Sequence, residues 1–147
     1  MTSESARRIL FVDPSHGARS QMAAALLHAA ARNRFEVASA GTAAIGSLDS
    51  VDTVLEEVGI RDFRADARPI SAALTPPADL VIVVCEDGCN ACPFVPGAKR
   101  VVRWPQPDPD AAPLSERLSL LRRIRGDLQL RITYLVNLPE SWTFSAG

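Results

Sequence analysis

The segment from residue 9 to residue 27 combines residue types that can bind an anion. An apolar, β-favouring run, Ile9 to Val12, leads into the loop Asp13-Pro14-Ser15-His16-Gly17-Ala18-Arg19-Ser20, and an alanine-rich helical run follows from Gln21 to Leu27. A loop between a strand and a helix N-terminus presents free backbone N–H groups to an anion, and Arg19 adds a positive charge. The segment therefore predicts an anion-binding loop over residues 13–20.

Asp13 is the unusual member of this loop because it is itself an anion at neutral pH. We expect its carboxylate to accept hydrogen bonds from the loop and from Arg19, so that the site carries its own negative charge and disfavours an incoming oxyanion. An aspartate can also act as the nucleophile of phosphoryl transfer, through an acyl phosphate. That route uses a magnesium-binding partner carboxylate, and the sequence places none beside Asp13.

All three cysteines of the chain, Cys85, Cys89 and Cys92, lie within one short segment. Three interpretations of their spacing, C-x3-C-x2-C, are open. The pair 89 and 92 or the pair 85 and 92 could form a reversible disulfide, or the three thiolates could bind a metal or an iron–sulfur cluster together with Asp13 or His16. The thiols could also be inert and partly buried under the sheet edge. We favour the redox interpretation and predict neither a bound metal nor a cofactor.

Length and composition restrict the class of protein. A chain of 147 residues fits one domain, residues 1–147, and its net charge of -1 gives no reason to expect a nucleic acid or an anionic membrane as a partner. The longest apolar run, Leu80 to Cys85, is too short to cross a bilayer, and residues 1–8 lack the apolar region of a signal peptide. We therefore expect a cytoplasmic protein with no nucleic-acid and no membrane partner.

The hydrophobic pattern predicts strands that alternate with helices. We predict strands at 8–12, 35–40, 80–84 and 100–104, and helices at about 19–32, 50–58, 71–74 and 114–138. The third strand has no polar alternation, which is typical of the buried centre of a sheet. The alternation predicts a parallel doubly wound sheet whose ligands lie at the C-terminal ends of the strands, where Asp13 and Cys85 both stand.

The C-terminal third of the chain has mainly structural explanations. The last helix has an apolar stripe made of Leu118, Leu121, Ile124, Leu128, Ile132 and Leu135. We expect Trp104 and Trp142 to be packing residues and Tyr134 to lie at the edge of the core. We expect the arginines of this helix to form a solvated surface, with Glu116 and Asp127 as opposite charges. The tail 141–147 is predicted to be exposed, so that Trp142 and Phe144 dock on the body or on a second subunit, as in a homodimer.

Several motifs follow one another in the order of a known family. The spacing from position 13 to Arg19 is that of a C-x5-R loop with Asp in place of Cys; the further matches are Arg19-Ser20-Gln21-Met22-Ala23, Ser39-Ala40-Gly41-Thr42, Asp79 to Cys85, Cys92-Pro93, Pro96-Gly97, Trp104 and Asp108-Pro109. On these residues the chain resembles the low-molecular-weight protein tyrosine phosphatases and the thioredoxin-coupled arsenate reductases of the same fold. The resemblance covers nearly the whole chain and implies a single three-layer α/β domain with a central four-stranded parallel sheet.

The same resemblance implies roles for individual residues. In the family, a thiolate at the position of Asp13 attacks phosphorus or arsenic inside the loop. Asp108 matches the general acid of the phosphatases, although its proline-rich surroundings equally fit a turn. Cys85 and Cys92 match the two cysteines that act in succession in the reductases, and Cys89 is additional. Two more departures are His16 in place of the usual Asn and Ala24 in place of a glutamate that helps to bind potassium.

These observations lead to one prediction with two alternatives. We predict a catalytically degenerate relative of these enzymes, without phosphatase activity, that keeps a redox-capable cysteine cluster and has a regulatory or binding role. The first alternative is an arsenate reductase-like oxidoreductase that uses Cys85, Cys89 and Cys92. The second is a phosphatase with Asp13 as nucleophile. The partners that the resemblance implies are an oxyanion (phosphate, arsenate or sulfate) and a thioredoxin-like reductant.

Overall fold

The computed structural model describes residues 6–13, 17–41, 48, 50–64, 69–73, 75–86 and 97–144. Strands and helices alternate along these residues, as the hydrophobic pattern predicts. The strands are β1 (Arg7–Val12), β2 (Phe35–Ala40), β3 (Leu80–Val83) and β4 (Val101–Arg103); the helices are α1 (Ala18–Ala31), α2 (Val51–Glu56), α3 (Ile70–Ala73), α4 (Leu114–Asn137) and α5 (Glu140–Thr143).

The four strands form one parallel sheet in the order β2-β1-β3-β4. The central position of β1 and β3 explains why both are nearly continuous runs of apolar residues, since neither strand has a solvated face. In the register of the sheet, Val12 is the neighbour of Ala40 on one side and of Val83 on the other. The last residues of three strands therefore lie side by side at one edge.

Alternate residues of β1 enter two different apolar clusters. Ile9 and Phe11 pack with α1, α2 and α4 on one face of the sheet, whereas Leu10 and Val12 pack with Ala73 of α3 on the other. Such alternation is what a strand imposes, because successive side chains point to opposite faces. The predicted α/β architecture with a four-stranded parallel sheet is confirmed.

Helix α4 extends over 24 residues and begins directly after Pro113, whose fixed φ suits a helix start. Its buried residues, Leu121, Ile124, Leu128, Ile132 and Leu135, confirm the predicted stripe. Tyr134 is 65% exposed, so its predicted place at the core edge is wrong. Among the described residues, no helix is long and apolar enough to cross a membrane.

The prediction of an exposed tail is wrong for Phe144. Its ring is buried and meets the ring of Phe35 edge-on, with the two centroids 5.7 Å apart, and the guanidinium of Arg7 lies 5.2 Å from its centroid. The tail therefore docks on the body of its own chain through this residue. The side chain of Trp142 lies outside the described residues, and the homodimer stays a prediction.

The arginines of α4 were expected to be a solvated surface, but two of them connect α4 to α2. Arg122 and Arg125 both donate to the carboxylate of Glu57, with N–O distances of 2.6 Å. Hydrogen bonds from Arg122 and then from Arg125 lower the pKa of Glu57 to about 2. The partner acid of these two arginines is thus Glu57, which follows α2, whereas Arg131 of the same helix pairs with the predicted Asp127 at 2.8 Å.

This contact gives a pH-dependent stability. Because the folded-state pKa of Glu57 (about 2) lies below the ordinary value of 4.5, the contribution is complete above pH 4.5 and is lost as the pH falls toward 2. We expect Glu57→Gln to lower the free energy of unfolding at neutral pH. The difference in this free energy between the variant and the native chain should shrink as the pH falls from 4.5 toward 2. Urea unfolding over a pH series measures it, with the exposed Glu56→Gln as the matched control. A difference that persists unchanged at the acid end would contradict the assignment.

Candidate functional site

The candidate site lies at the C-terminal edge of the sheet, where the strands end beside one another. Asp13 directly follows β1, and its backbone N–H donates to the carbonyl of Ala40 at 3.2 Å. Two residues after β3 comes Cys85, and the N–H of Val84 donates to Val12 at 3.0 Å. The parallel register therefore brings the loop after β1 and the loop after β3 to the same edge, as parallel sheets do with ligand-binding loops.

A bidentate ion pair between Asp13 and Arg19 occupies the centre of this edge. The guanidinium donates from Nε to Oδ2 of Asp13 at 3.0 Å and from Nη2 to Oδ1 at 2.9 Å. Asp13 is fully buried and Arg19 is 6% exposed. This is the fork-to-fork geometry with which arginine binds a carboxylate or a phosphate. The carboxylate of Asp13 thus accepts from two of the three guanidinium nitrogens of Arg19.

The third nitrogen of Arg19 is also occupied. Its Nη1 donates to the backbone carbonyl of Gln106 at 3.0 Å. Each of the three guanidinium nitrogens therefore has an acceptor inside the protein. Charged groups removed from water are stable only when they are paired and hydrogen-bonded in this way.

The loop that holds Arg19 is described in part. Gly17 precedes α1, and its carbonyl accepts from the N–H of Gln21 at 3.3 Å and from Oγ of Ser20 at 3.4 Å. Ala18 and Ser20 are buried in the first turn of the helix. Pro14, Ser15 and His16, which complete the predicted anion-binding loop, lie outside the described residues.

A polar network continues from Arg19 to the surface of α4. The side-chain amide of Gln106, itself buried, donates to Asp127, and Arg131 donates to the same carboxylate at 2.8 Å. Burial on its own would raise the pKa of Asp127, but the bonds from Gln106 and Arg131 outweigh it and lower the pKa below its ordinary value. Sequence reasoning missed Gln106, since a glutamine between two prolines has no pattern that marks it as buried.

Cys85 is the cysteine that the structure describes. It is buried, disulfide-bonded, and 3.7 Å from Nη2 of Arg103, which also donates to the carbonyl of Glu86 at 3.2 Å. Cys89 and Cys92 lie outside the described residues. In the described part of the chain, no group of three His, Cys, Asp or Glu side chains is arranged to hold a metal ion.

Asp108 stands at the start of a short 3-10 turn, Pro109–Ala111, that follows the proline-rich segment. Its carboxylate accepts from the N–H of Asp110 at 2.9 Å, and its own N–H donates to Oε1 of Glu86 at 3.1 Å. The side chain therefore caps the turn, as the structural explanation of this segment predicts. The contact with Glu86 ties the loop after β4 to the loop after β3.

Known proteins resemble this chain over most of its length. The family model of the low molecular weight phosphotyrosine protein phosphatases matches residues 8–109. The arsenate reductase of Halalkalibacterium halodurans is 30% identical over 126 residues, which are 84% of this chain and 91% of the relative. The arsenate reductase of Shouchella clausii is 30% identical over 134 residues, 90% of this chain and 96% of the relative.

The structural comparison agrees with the sequence comparison. A solved arsenate reductase in the phosphate binding state superposes with a TM-score of 0.73 at 26% sequence identity, over 88% of this chain and 96% of that chain. The chain therefore shares its fold with this arsenate reductase over most of its length.

Proposed function

Because this chain belongs to the low molecular weight phosphotyrosine protein phosphatase family and is similar to arsenate reductases, we propose that it is a catalytically degenerate member with a binding or regulatory role. In this proposal, Asp13 replaces the nucleophile and closes the oxyanion site from within. The chain then neither hydrolyses phosphate esters nor forms a covalent arsenic adduct at this position.

The observation that carries the proposal is the buried pair of Asp13 and Arg19. An oxyanion in the family's loop would need Nε and Nη2 of Arg19, and both already donate to the carboxylate of Asp13. A phosphate in that place would also face a fixed negative charge in a site with little water, where repulsion between like charges is strong. The same pairing disfavours Asp13 as a nucleophile, since both of its oxygens are hydrogen-bonded to Arg19.

Two activity assays test the proposal: hydrolysis of an aryl phosphate, and reduction of arsenate with thioredoxin and its reductase. We expect the native chain to be silent in both assays and Asp13→Cys to gain activity in at least one, because a thiolate would then lie at the focus of the loop. Asp13→Ser is the matched control, since it opens the site without supplying a thiolate.

Turnover of either substrate by the native chain above the level of Asp13→Ser would contradict the proposal. A phosphoenzyme labile to hydroxylamine would contradict it as well, and would favour Asp13 as nucleophile through an acyl phosphate.

The disulfide at Cys85 supports a second candidate, a thiol oxidoreductase that uses Cys85, Cys89 and Cys92 with a thioredoxin-like reductant. Reduction of one disulfide takes two electrons and two protons and yields two thiols. Arg103, close to the sulfur of Cys85, would stabilise the thiolate form. In this case thioredoxin would reduce the native protein, measured by thiol titration, and Cys85→Ser would abolish the reaction whichever residue is at position 13.

A further inference from the structure

An apolar cavity of about 340 Å³ lies between β4 and the C-terminal half of α4, and neither the network around Arg19 nor the cysteine segment uses it. Its apolar lining includes Leu80, Trp104, Tyr134, Leu135 and Leu138. Among the described residues, β4 is the edge strand of the sheet, and no further strand of that part of the chain lies beside it. Tyr134 and Leu138 are 65% and 39% exposed, which leaves the cavity open to solvent.

The charged residues of the cavity are both basic. Arg100 and Arg131 belong to its lining, and among the described residues no acidic side chain does. Arg100 donates from Nη1 to the carbonyl of Thr143 at 3.1 Å, and Arg131 donates from Nε to Asp127 at 2.8 Å. Within the described residues, the two Nη groups of Arg131 have no hydrogen-bond acceptor, and its side chain is 37% exposed. Arg131 can therefore bind a further negatively charged group.

The charge and the size of the cavity decide between occupants. A second copy of the chain related by a two-fold axis would bring the same patch against itself, and the lining of that patch offers two arginines and no acidic side chain among the described residues. A small molecule with an apolar body and one anionic group has no such conflict, and the volume lies at the lower end of the range of small-molecule sites. We propose that this cavity binds an apolar monocarboxylate, with its hydrocarbon or aromatic body on Trp104 and Leu135 and its carboxylate on Arg131.

This site is separate from the loop of Asp13 and goes beyond the proposed function, which neither requires nor excludes it. Its probe is decanoate, and decanol is the neutral control of equal chain length. In full-length Trp142→Phe protein, Trp104 is the only tryptophan and reports on the cavity directly. We expect saturable quenching or enhancement of its fluorescence by decanoate, and an affinity about tenfold or more lower for decanol, because decanol offers Arg131 no charged acceptor.

Two variants and one control complete the experiment. Arg131→Gln should lower the affinity for decanoate to that for decanol, Leu138→Phe should weaken both ligands by filling the cavity, and the exposed Arg123→Gln should change neither. Equal binding of decanoate and decanol, or decanoate binding that Arg131→Gln leaves unchanged, would overturn the proposal. The absence of saturable decanoate binding would overturn it as well. So would a native dimer that Leu138→Glu dissociates, because a second copy of the chain would then cover the cavity.

Discussion

Asp13→Ala is expected to lower the free energy of unfolding by about 3–5 kcal/mol, because it leaves a buried arginine without its counter-charge. Arg19 is 6% exposed, and its guanidinium has the carboxylate of Asp13 as its charged partner. For a protein of ordinary stability, about 5–15 kcal/mol, this is a large fraction of the total. Urea unfolding followed by circular dichroism, in a buffer free of multivalent oxyanions, measures the loss.

The exposed carboxylate of Glu36 provides the control. Glu36→Ala removes the same charge from the surface of β2 and should change stability by no more than about 0.5 kcal/mol. A similar, small loss for both variants would mean that the pair of Asp13 and Arg19 contributes little to the folded state.

A double variant distinguishes the destabilisation caused by one unpaired buried charge from the net stabilisation that the intact ion pair contributes. Asp13→Leu and Arg19→Met should each lower the free energy of unfolding by about 3–5 kcal/mol when made alone. The double variant removes both charges, and replacing a buried ion pair by apolar side chains is often close to neutral for stability. The remaining cost should be about 1–3 kcal/mol, which is the penalty for a buried carbonyl of Gln106 without its donor. Losses that simply add would contradict the assignment of a coupled ion pair.

The second large effect concerns ligand binding. Asp13→Ser removes the internal anion and should leave Arg19 and the N-terminus of α1 to attract an external one. Phosphate should then stabilise the variant increasingly, with the logarithm of its concentration, and by about 2.7 kcal/mol when that concentration is a hundred times the dissociation constant. The native chain should gain no such stabilisation, because Asp13 already has the donors that phosphate needs. Thermal unfolding with and without phosphate follows both proteins.

The sequence predicts the Asp13–Arg19 contact because that contact is local. The two stand six positions apart, between the apolar strand that ends before Asp13 and the alanine-rich helix that follows. The sheet is predictable for a related reason: four apolar strands separated by helical patterns allow few topologies other than a parallel doubly wound one. Whether the filled site excludes oxyanions is a question of energy, which no pattern of residues answers.

Contacts between distant polar residues could not be predicted in the same way. Gln106 reaches Arg19 across 87 positions, and its partner Asp127 lies on a helix whose surface pattern is dominated by other charges. Glu57 is likewise paired with Arg122 across 65 positions. Polar residues have no periodicity that marks one of them as buried, and their partners are fixed only when the helices have packed.

The burial of Phe144 illustrates a further limit. Phe144 and Trp142, the two aromatic residues of a short polar tail, give no periodic signal, so the sequence leaves the docking surface of Phe144 undecided. The ring of Phe144 packs against Phe35 and beneath the guanidinium of Arg7. Phe35 is the first residue of β2, so this contact lies at the end of the sheet opposite the candidate site. Whether an aromatic residue near a chain terminus is buried thus depends more on the apolar surface that it can reach than on the polarity of its neighbours in sequence.

The most direct test of the account is titration calorimetry with inorganic phosphate on the native chain and on Asp13→Ser, side by side and with sulfate as a second oxyanion. The account predicts no saturable binding by the native chain up to millimolar concentrations, and clear binding of both ions by the variant. Phosphate binding by the native chain that is as tight as binding by Asp13→Ser would contradict it, since Asp13 would then not be closing the site.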